Sequence, residues 1–279
     1  HKPDRQIMSR RSKDEDFDAR IDALRTRIKD SDDLNVEDAV FDKRTLMDLY
    51  SLASKGVIDA LGGSVSTGKE ANIFAALSEE RVLALKIYRI STSNFNVMRD
   101  YLHGDPRFSS VKGTKRAIVA AWTRKEYRNL LRAEQAGVRV PHPFAMRENI
   151  LVMEMIGQED AAAPPLKDME LGAAEAERIY QKIIEYISIL YNQAGLVHAD
   201  LSEFNILYDR GEPVIIDMGQ SVTLDHPQSK RFLERDISNI ANYFQKKYSI
   251  GSSEEIWDRI QKARELKNRD YKTDYKRQH

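Results

Sequence analysis

One octapeptide holds the residue types that a phosphoryl transfer requires. It reads His198-Ala199-Asp200-Leu201-Ser202-Glu203-Phe204-Asn205. An aspartate can accept the proton of an attacking hydroxyl, and an asparagine five positions later can offer a neutral oxygen to Mg²⁺. Asp and Asn are also common turn residues, so a plain loop between a helix and a strand is the alternative. The spacing favours Asp200 as a catalytic residue and Asn205 as a metal ligand.

A second carboxylate stands at the end of an apolar segment, Val214-Ile215-Ile216-Asp217-Met218-Gly219. A strand that ends in Asp-x-Gly is a common turn and indicates little alone. Here it follows Asn205 by 12 residues, so one short stretch supplies two hard oxygen ligands. Mg²⁺ beside a nucleotide is usually held by one or two protein groups together with the phosphates. Asp217 is therefore predicted to bind Mg²⁺ and to act in catalysis, and Mn²⁺ would suit the same oxygens.

Lys86 interrupts the apolar segment Val82–Tyr88, where an unpaired charge is costly. Such a lysine can hold the α- and β-phosphates of ATP while it pairs with a glutamate from a later helix. Glu126 and Glu134 both qualify as that partner, and Glu126 is preferred because it comes earlier and lies at helical spacing from Trp122 and Leu130. The alternative is a lysine on an edge strand whose amine reaches water, and the segment by itself supports both interpretations equally.

The segment Gly62–Glu70 contains small and hydroxyl residues that let backbone N–H groups approach phosphates. The predicted ATP-binding positions in it are Ser66, Thr67, Gly68, Lys69 and Glu70. Residues Gly63–Lys69 nearly fit the G-x-x-x-x-G-K-[ST] motif of P-loop NTPases. However, Glu70 stands where a Ser or Thr must hold Mg²⁺, and the following residues are typical of a strand rather than a helix.

A nucleotide base could be read by the segment Met153–Gly157, which follows a buried strand and precedes a linker rich in Ala and Pro. Backbone groups at such a strand exit can hydrogen-bond to adenine. Glu154 and Ile156 are therefore predicted as cofactor-binding positions. This prediction depends on position alone, because an ordinary strand-to-loop exit has the same sequence pattern.

The elements that must position these residues change from strand-rich to helix-rich near residue 157. Apolar spacing predicts helices at residues 36–61, 117–136, 170–194 and 230–268. Short apolar runs predict strands at ANIFAAL, RVLALKIY, NILVMEMIG and around the two acidic loops. Residues 91–116 are predicted to be a long mobile loop, and residues 1–36, with nine basic and nine acidic side chains, a solvated helix or tail.

With these motifs the chain resembles the protein kinases, in which H-x-D-L-x-x-x-N is the catalytic loop and D-F-G the metal loop. It resembles most specifically the type-1 branch of the RIO kinases, in an archaeal form. The segments that carry this resemblance are Ser66–Asn72, His198–Asn205 and Ile216–Val222. The resemblance covers about residues 40–260, and the residues before Gly62 are too helical and charged for the winged helix of the type-2 branch.

This resemblance implies an α+β, bilobal protein-kinase-like fold. The implied regions are a charged helical extension (1–46), a small strand-rich N-lobe with the hinge (47–157) and a reduced helical C-lobe (158–279). It also implies Mg²⁺-ATP binding, autophosphorylation on Ser or hydrolysis of ATP, and a role in maturation of the small ribosomal subunit. A monomer is favoured.

Two departures from ordinary protein kinases are visible. Ser202 occupies the position where many Ser/Thr kinases place a lysine against the γ-phosphate. Only 62 residues follow Asp217, without an A-P-E segment, so the usual peptide-docking platform is expected to be missing. The ATPase mode of the family suggests that Asp217 could carry the phosphate transiently as an aspartyl-phosphate, since carboxylates serve as nucleophiles in some ATPases.

The amino-acid composition limits the kinds of partner that the chain can have. The 279 residues contain no Cys, and 44 Lys+Arg balance 44 Asp+Glu, which excludes a disulfide framework and a protein that merely coats nucleic acid. The basic residues are nevertheless segregated: residues 86–128 hold ten Lys/Arg against three Asp/Glu. Ribosomal RNA is a plausible partner, and a solvated lysine-rich loop is the alternative.

No membrane span or signal peptide is predicted, and a cytoplasmic location is expected.

Several alternatives stay open at this level. Small-molecule phosphotransferases share H-x-D-x-x-x-x-N, although their larger helical acceptor domain has little room here. A nucleotide-sensing assembly module with little turnover is a third class, which the intact set of Lys86, Asp200, Asn205 and Asp217 disfavours. The candidate autophosphorylation sites are Ser91, Thr92, Ser93, Ser109, Ser110 and Thr114.

Overall fold

The computed structural model describes residues 41–79, 81–91, 93–108, 110–158 and 161–278, with side chains described as far as Leu266, except that of Gln158. The helix or tail predicted for residues 1–36 lies outside the described residues. The helices in chain order are α1 (Lys43–Ser54), α2 (Phe95–His103), α3 (Lys115–Gln135), α4 (Ala173–Ile189), α5 (Ser229–Tyr248) and α6 (Ser253–Gln278). The strands are β1 (Ala60–Thr67), β2 (Ala71–Ser78), β3 (Arg81–Tyr88), β4 (Pro143–Arg147), β5 (Ile150–Glu154), β6 (Gly157–Gln158), β7 (Ala161–Ala162), β8 (Leu196–Val197), β9 (Ile206–Asp209), β10 (Glu212–Ile215) and β11 (Val222–Thr223).

The described residues form two compact units. The first comprises the residues up to Ser93 together with Ala145–Met153, and the second comprises Asn94–Phe144 and the residues from Glu154 onward. The predicted lobe boundaries at residues 46 and 157 stay predictions. None of the helices in the described part of the chain combines the length and the apolar composition that crossing a bilayer requires.

A five-stranded sheet in the order β1-β2-β3-β5-β4 organises the first unit. Strands β2 and β3 form the antiparallel hairpin that the two apolar runs predicted, with Ile73 opposite Lys86. One side of the sheet is covered by α1, whose leucines 46, 49 and 52 share a core with Phe74 and Ile87. This spacing of three residues is the helical periodicity that predicted α1.

The second unit is mainly helical. The apolar face of α4, which includes Ile179 and Ile183, is fully buried, and the Tyr180 ring packs 5.1 Å from that of Phe244 on α5. Two small antiparallel ribbons, β8 with β11 and β9 with β10, carry the acidic loops singled out in the sequence. These ribbons place both loops at the ends of short buried strands.

The prediction that residues 91–116 form a long mobile loop is wrong. The described part of this segment contains α2 and a 3₁₀ turn at Pro106–Phe108, and α3 begins at Lys115. Asn94 caps α2 by accepting a hydrogen bond from the Val97 N–H, and Met98 is buried at helical spacing from Leu102. The capping residue and the apolar spacing were present in the sequence, but the Ser, Gly and Lys around them obscured the pattern.

Two predicted helices are shorter than expected. The first ends at Ser54 instead of continuing to Leu61, because β1 begins at Ala60 and includes the Gly62-Gly63 pair. The helix predicted for residues 230–268 is divided into α5 and α6 by Ser249 and Gly251, which have φ angles of 58° and 79°. A Cβ on Gly251 would lie 2.5 Å from the Tyr180 ring, so close packing requires glycine at this break.

Candidate active site

Side chains of α5 hold the backbone of the catalytic loop, which is defined as His198–Asn205. Asp236 accepts backbone hydrogen bonds from Ala199 at 2.8 Å and from Leu201 at 2.9 Å, one with each carboxylate oxygen. These two N–H groups flank Asp200 on either side. A single buried carboxylate therefore sets the backbone orientation from which the Asp200 side chain projects.

Two neighbours of Asp236 bind the carbonyl groups of the same residues. Arg235 donates to the Ala199 carbonyl, and Asn239 donates to the Leu201 carbonyl at 3.0 Å. Ala199 adopts a φ of 68°, the left-handed region that L-residues rarely enter. Because both of its backbone polar groups are bound by α5, the helix holds this residue in that conformation.

His198 connects the catalytic loop to the strand that precedes Asp217. Its Nε2 lies 2.9 Å from the Ile216 carbonyl, and its Nδ1 lies 3.3 Å from the Asp200 N–H. Both ring nitrogens of His198 are thus engaged with backbone groups. The histidine of the motif is therefore a brace between the two acidic loops.

Asp200 lies in an environment that strengthens it as a proton acceptor. Burial raises the pKa of its carboxyl group, His198 lowers it and the charge of Asp217 raises it again, with a net upward shift. Its Oδ2 accepts hydrogen bonds from Asn205 and Gln220, each at 3.2 Å. These two amides orient the carboxylate, and an upward shift brings the pKa of a general base closer to neutral pH.

The residues predicted to bind Mg²⁺ have suitable oxygen donors. Asn205 turns its Nδ2 to the backbone carbonyl of Asp200, at 2.8 Å, so its Oδ1 faces the other way. Asp217 follows β10 and adopts a φ of 63°. Within the described residues no cluster of three or more His, Cys, Asp or Glu side chains forms a separate metal site. One carboxylate and one amide oxygen are the kind of set that Mg²⁺ accepts when phosphates complete its shell.

Lys86 lies in the central strand of the first unit. β3 is flanked by β2 and β5, so the alternative of an edge-strand lysine is wrong. Its side chain is only 8% exposed, and its amine lies 5.1 Å from the centre of the Tyr88 ring. Burial of the Lys86 side chain and its contact with Tyr88 thus restrict where the amine can lie.

The predicted phosphate loop, Ser66–Glu70, covers the end of β1 and the turn into β2. The Gly68 N–H donates to the Ala71 carbonyl at 3.0 Å, and a Cβ on Gly68 would lie 2.9 Å from that oxygen. Only glycine allows this tight turn. Because β2 rather than a helix follows Lys69, the segment is not a P-loop, which needs a helix N-terminus at this point.

The strand exit at Glu154 is braced by Arg139. The guanidinium donates to both carboxylate oxygens, at 2.6 Å and 2.7 Å, and the His142 N–H donates to one of them at 3.2 Å. The Glu154 N–H donates to the His142 carbonyl at 2.8 Å. The side chain and the N–H of Glu154 are therefore engaged within the protein, which limits a base contact to its carbonyl. Ile156 follows two residues later and is buried.

Two glutamates on α3 were candidates for the partner of Lys86. Glu126 is buried near the middle of the helix, whereas Glu134 lies near its end and pairs with the Nδ1 of His142 at 2.8 Å. The engagement of Glu134 is consistent with the preference for Glu126. The pairing of Glu126 with Lys86 stays a prediction.

The residues that hold the two acidic loops belong to none of the sequence motifs and were not predicted. Asp236 and Arg235 lie 36 and 35 positions beyond Asp200 on α5, and Lys125 and Asn129 lie on α3. One signal could have revealed three of them, because Asp236, Lys125 and Asn129 are buried polar residues that interrupt the apolar face of a helix. Asp236, for example, lies between the buried Phe232 and Ile240.

Fold and site together place the chain among the protein-kinase-like phosphotransferases, and the predicted α+β kinase-like fold is confirmed by solved structures. The Rio2 kinase from Chaetomium thermophilum, solved as an ADP/Mg²⁺-phosphoaspartate complex, superimposes with a TM-score of 0.60 at 25% identity, over 77% of this chain and 66% of that one. The family model described as the RIO domain matches residues 72–256. The chain belongs to the RIO family.

Curated relatives identify the branch and the class of enzyme. The RIO-type serine/threonine-protein kinase Rio1 of Haloferax volcanii is 46% identical over 249 residues, 89% of this chain and 83% of that protein. The corresponding protein of Methanocaldococcus jannaschii is 43% identical, over 77% of this chain and 73% of its own length. The human serine/threonine-protein kinase RIO1 is 41% identical over 78% of this chain, which spans only 39% of the human protein. The predicted type-1 branch is confirmed, and the chain is a serine/threonine kinase that uses ATP and Mg²⁺.

Proposed function

We propose that this enzyme transfers the γ-phosphate of ATP with Asp200 as the general base and with Asp217 and Asn205 as the Mg²⁺ ligands. The observation that carries the proposal is the brace formed by Asp236, which binds the N–H groups on both sides of Asp200. A general base must be held in one orientation to contribute its typical factor of about 10²–10⁴ in rate. Bound Mg²⁺ would neutralise charge on the β- and γ-phosphates.

ATP contacts outside the catalytic loops are assigned by the same proposal. Lys86 would hold the α- and β-phosphates, and its restricted position in β3 supports this role. The backbone of Ser66–Glu70 would line the phosphates, since glycine at the tight turn leaves no side chain between the backbone and the nucleotide. Adenine would be read by the carbonyl of Glu154 and the N–H of Ile156.

The decisive experiment follows γ-labelled ATP in the wild-type protein and in Asp200→Ala, scoring label on protein and free phosphate together. The proposal expects both products to fall by a factor of about 10² or more in the variant. Asp258→Asn is the matched control, because Asp258 is an exposed carboxylate on α6. Turnover by Asp200→Ala at the wild-type rate would refute the assignment of the base.

ATP hydrolysis through an aspartyl-phosphate is a second candidate activity. The solved Rio2 kinase that resembles this chain is described as a phosphoaspartate complex, which supports the same chemistry here. An Asp217 carboxylate oxygen would attack the γ-phosphorus, the bond to ADP would break, and water would then hydrolyse the acyl phosphate to free phosphate. Acid-stable label on the protein that hydroxylamine releases, and that Asp217→Asn abolishes, is the expected result. Label that resists hydroxylamine would instead be phosphoserine or phosphothreonine.

A role in maturation of the small ribosomal subunit, in the cytoplasm, completes the proposal. Its support is membership of the RIO family together with exposed basic residues at the start and on one side of α3, namely Lys112, Lys115, Arg124 and Arg128. Burial of Lys86 and Lys125 and the pairing of Arg107 with Asp105 remove three of the ten basic residues of this region from any RNA surface. Binding to ribosomal RNA that weakens steeply with salt, and weakens further in a Lys112→Ala/Lys115→Ala variant, is expected.

The acceptor for kinase activity would include residues of this chain. Of the candidate autophosphorylation sites, Ser91, Ser93, Ser110 and Thr114 are described, whereas Thr92 and Ser109 lie outside the described residues. Ser93 is buried, and Thr114 caps α3 by accepting from the Ala117 N–H. Ser91 and Ser110 are exposed and are therefore the favoured described positions, which phosphopeptide mapping would test.

A further inference from the structure

The metal loop, defined as Asp217–Ser221, is held by two buried side chains of α3. Lys125 donates from Nζ to the carbonyl of Gly219 at 2.7 Å and to that of Ser221 at 2.5 Å. Asn129 donates from Nδ2 to the carbonyl of Met218 at 2.9 Å and to that of Ser221 at 3.0 Å. Three carbonyl groups of five consecutive residues are therefore bound from one helix.

Lys125 is an unusual residue for this position, because it is fully buried. Burial lowers the pKa of its amine to about 7, although the nearby Asp105 carboxylate acts in the opposite direction. A buried ammonium is costly unless hydrogen bonds satisfy it, and the two loop carbonyls accept hydrogen bonds from it. A methionine or leucine would fill the same space without this cost, so the amine has a function beyond packing.

Both polar atoms of the Asn129 amide make hydrogen bonds. While Nδ2 binds the metal loop, Oδ1 accepts a hydrogen bond from Arg107 at 2.9 Å. Arg107 is itself bound by the carboxylate of Asp105, at 2.6 Å. The amide therefore cannot rotate without breaking hydrogen bonds on both sides, and the loop is attached to a rigid group.

The metal loop also packs directly against the helix. A Cβ on Gly219 would lie 2.9 Å from the Nε1 of Trp122, so only glycine allows the loop to approach α3 this closely. The indole ring of Trp122 also lies 5.1 Å from the Lys125 amine. Since Asp217 begins this loop with a φ of 63°, the direction of its carboxylate depends on how the following residues are held.

We propose that Lys125 and Asn129 are positioning residues that hold the metal loop in the shape required for Mg²⁺ binding by Asp217. The proposal rests on the assignment of Asp217 as a Mg²⁺ ligand. Groups that orient a metal ligand typically contribute a factor of about 10–100 in metal affinity or activity. Their loss should therefore affect the metal-dependent step rather than the binding of the nucleotide itself.

The test is Lys125→Met, which keeps the length and apolar volume of the side chain and removes its donors. ATP turnover is measured against free Mg²⁺, and ATP binding is measured separately in EDTA. The expected result is a concentration of Mg²⁺ for half-maximal turnover raised about tenfold or more, with metal-free ATP affinity changed by less than about twofold. Lys182→Met, on the surface of α4, is the control and should match the wild type in both measurements.

Two outcomes would overturn the proposal. Wild-type Mg²⁺ dependence in Lys125→Met would show that the amine does not position the loop. An equal loss of metal-free ATP affinity and of Mg²⁺ affinity would show a general structural role. Asp217→Asn separates this proposal from the one on which it rests: if that variant keeps wild-type Mg²⁺ dependence, the assignment of Asp217 itself fails.

A second measurement avoids any change in the two positioning residues, in case Lys125→Met does not fold. The chain has two tryptophans, so Trp257→Phe leaves Trp122 as a single fluorescent reporter against Gly219. Adding Mg²⁺ to the ATP complex of this protein should leave the Trp122 emission nearly unchanged, because Lys125 and Asn129 already hold the loop in its metal-binding shape. A large change of emission on addition of Mg²⁺, abolished by Asp217→Asn, would show that the metal rather than α3 shapes the loop and would overturn the proposal.

Discussion

Two residues of the active site have backbone angles that L-amino acids rarely adopt, Ala199 with a φ of 68° and Asp217 with a φ of 63°. The left-handed region costs a residue with a Cβ roughly 1–2 kcal/mol. In both cases a buried side chain of a helix binds the backbone at or next to the strained residue: Asp236 accepts from the Ala199 N–H, and Asn129 donates to the Met218 carbonyl. The strain is thus located at or beside the two carboxylates that we propose act in catalysis, and packing elsewhere offsets it.

Asp236 should make the stability of the protein depend on pH. Burial raises the pKa of its carboxyl group to about 6, against an unfolded value near 3.9. Between these values the folded state binds a proton that the unfolded state has released, so the free energy of unfolding falls as pH rises. Relative to Asp236→Asn, the wild type should lose about 2 kcal/mol between pH 4 and pH 6. Urea unfolding of both proteins across this range measures the difference.

The control for this pH effect is Asp258→Asn on the surface of α6, which should leave the slope of the wild type unchanged. A difference in the free energy of unfolding between wild type and Asp236→Asn that stays constant from pH 4 to pH 6 would contradict the expectation.

Asp236→Asn should also slow phosphotransfer at all pH values, because an amide can accept only one of the two backbone N–H groups that flank Asp200.

Glu154 is a residue whose replacement should separate ATP binding from chemistry. The ion pair with Arg139 is about one-third exposed, and such pairs contribute about 0–1 kcal/mol to stability. Glu154→Ala should therefore leave the free energy of unfolding nearly unchanged while it releases the strand exit that we propose reads adenine. We expect KM for ATP to rise by roughly two- to tenfold, about 0.4–1.4 kcal/mol of binding, with kcat little changed. Glu185→Ala, on α4, is the control, and an unaltered KM would argue against the adenine assignment.

At the scale of elements, the acidic loops owe their shape to α5 and α3 rather than to their own strands. Helix α2 is the least expected element and is attached to this assembly by aromatic packing. The Tyr101 ring on α2 stacks 5.3 Å from that of Phe232 on α5 and meets Trp122 of α3 edge-on at 5.9 Å. A short helix of this kind is marginal in isolation, so its stability must come from these contacts.

Replacement of Tyr101 tests this attachment. Tyr101→Ala removes a largely buried ring and should destabilise the protein by about 3 kcal/mol, with faster amide hydrogen exchange across Phe95–His103. Tyr101→Phe keeps the ring and should cost no more than about 1 kcal/mol for the lost hydroxyl. Exchange in α4 should stay unchanged in both variants. Equal protection of α2 in Tyr101→Ala and the wild type would show that other contacts hold the helix.

At the scale of the whole molecule, nucleotide and metal should stabilise the fold in two separable steps. A ligand that binds only the folded state at 100 times its dissociation constant adds about 2.7 kcal/mol, which corresponds to roughly 5–10 °C in Tm for a chain of this size. ADP with EDTA should give one increment and Mg²⁺ a further one. Asp217→Asn should lose the Mg²⁺ increment and keep the first. A single increment that Mg²⁺ does not change would contradict the metal assignment.

The sequence by itself determined the family and the enzyme class of this protein, whereas the roles of individual residues stay predictions. Asp200, Asn205 and Asp217 lie within 18 residues of one another in the chain, so their spacing alone defines a motif and a family. The hairpin of β2 and β3 and the long helices α3 and α4 were also predicted, because apolar periodicity is a local property. Helix α2 was not predicted, because its stability depends on aromatic partners far along the chain.

Only the tertiary structure decided how the chemical groups are held. Asp236 reaches Ala199 and Leu201 across more than 30 residues, and Lys125 reaches Gly219 across 94. Such contacts leave no periodic signal, since a single polar residue on an apolar helix face has many possible partners until the chain is folded. The tertiary structure also placed Lys86 in a central strand, which residues 82–88 by themselves left undecided. Local spacing specifies which groups can react, and long-range hydrogen bonds from buried residues specify where those groups are aimed.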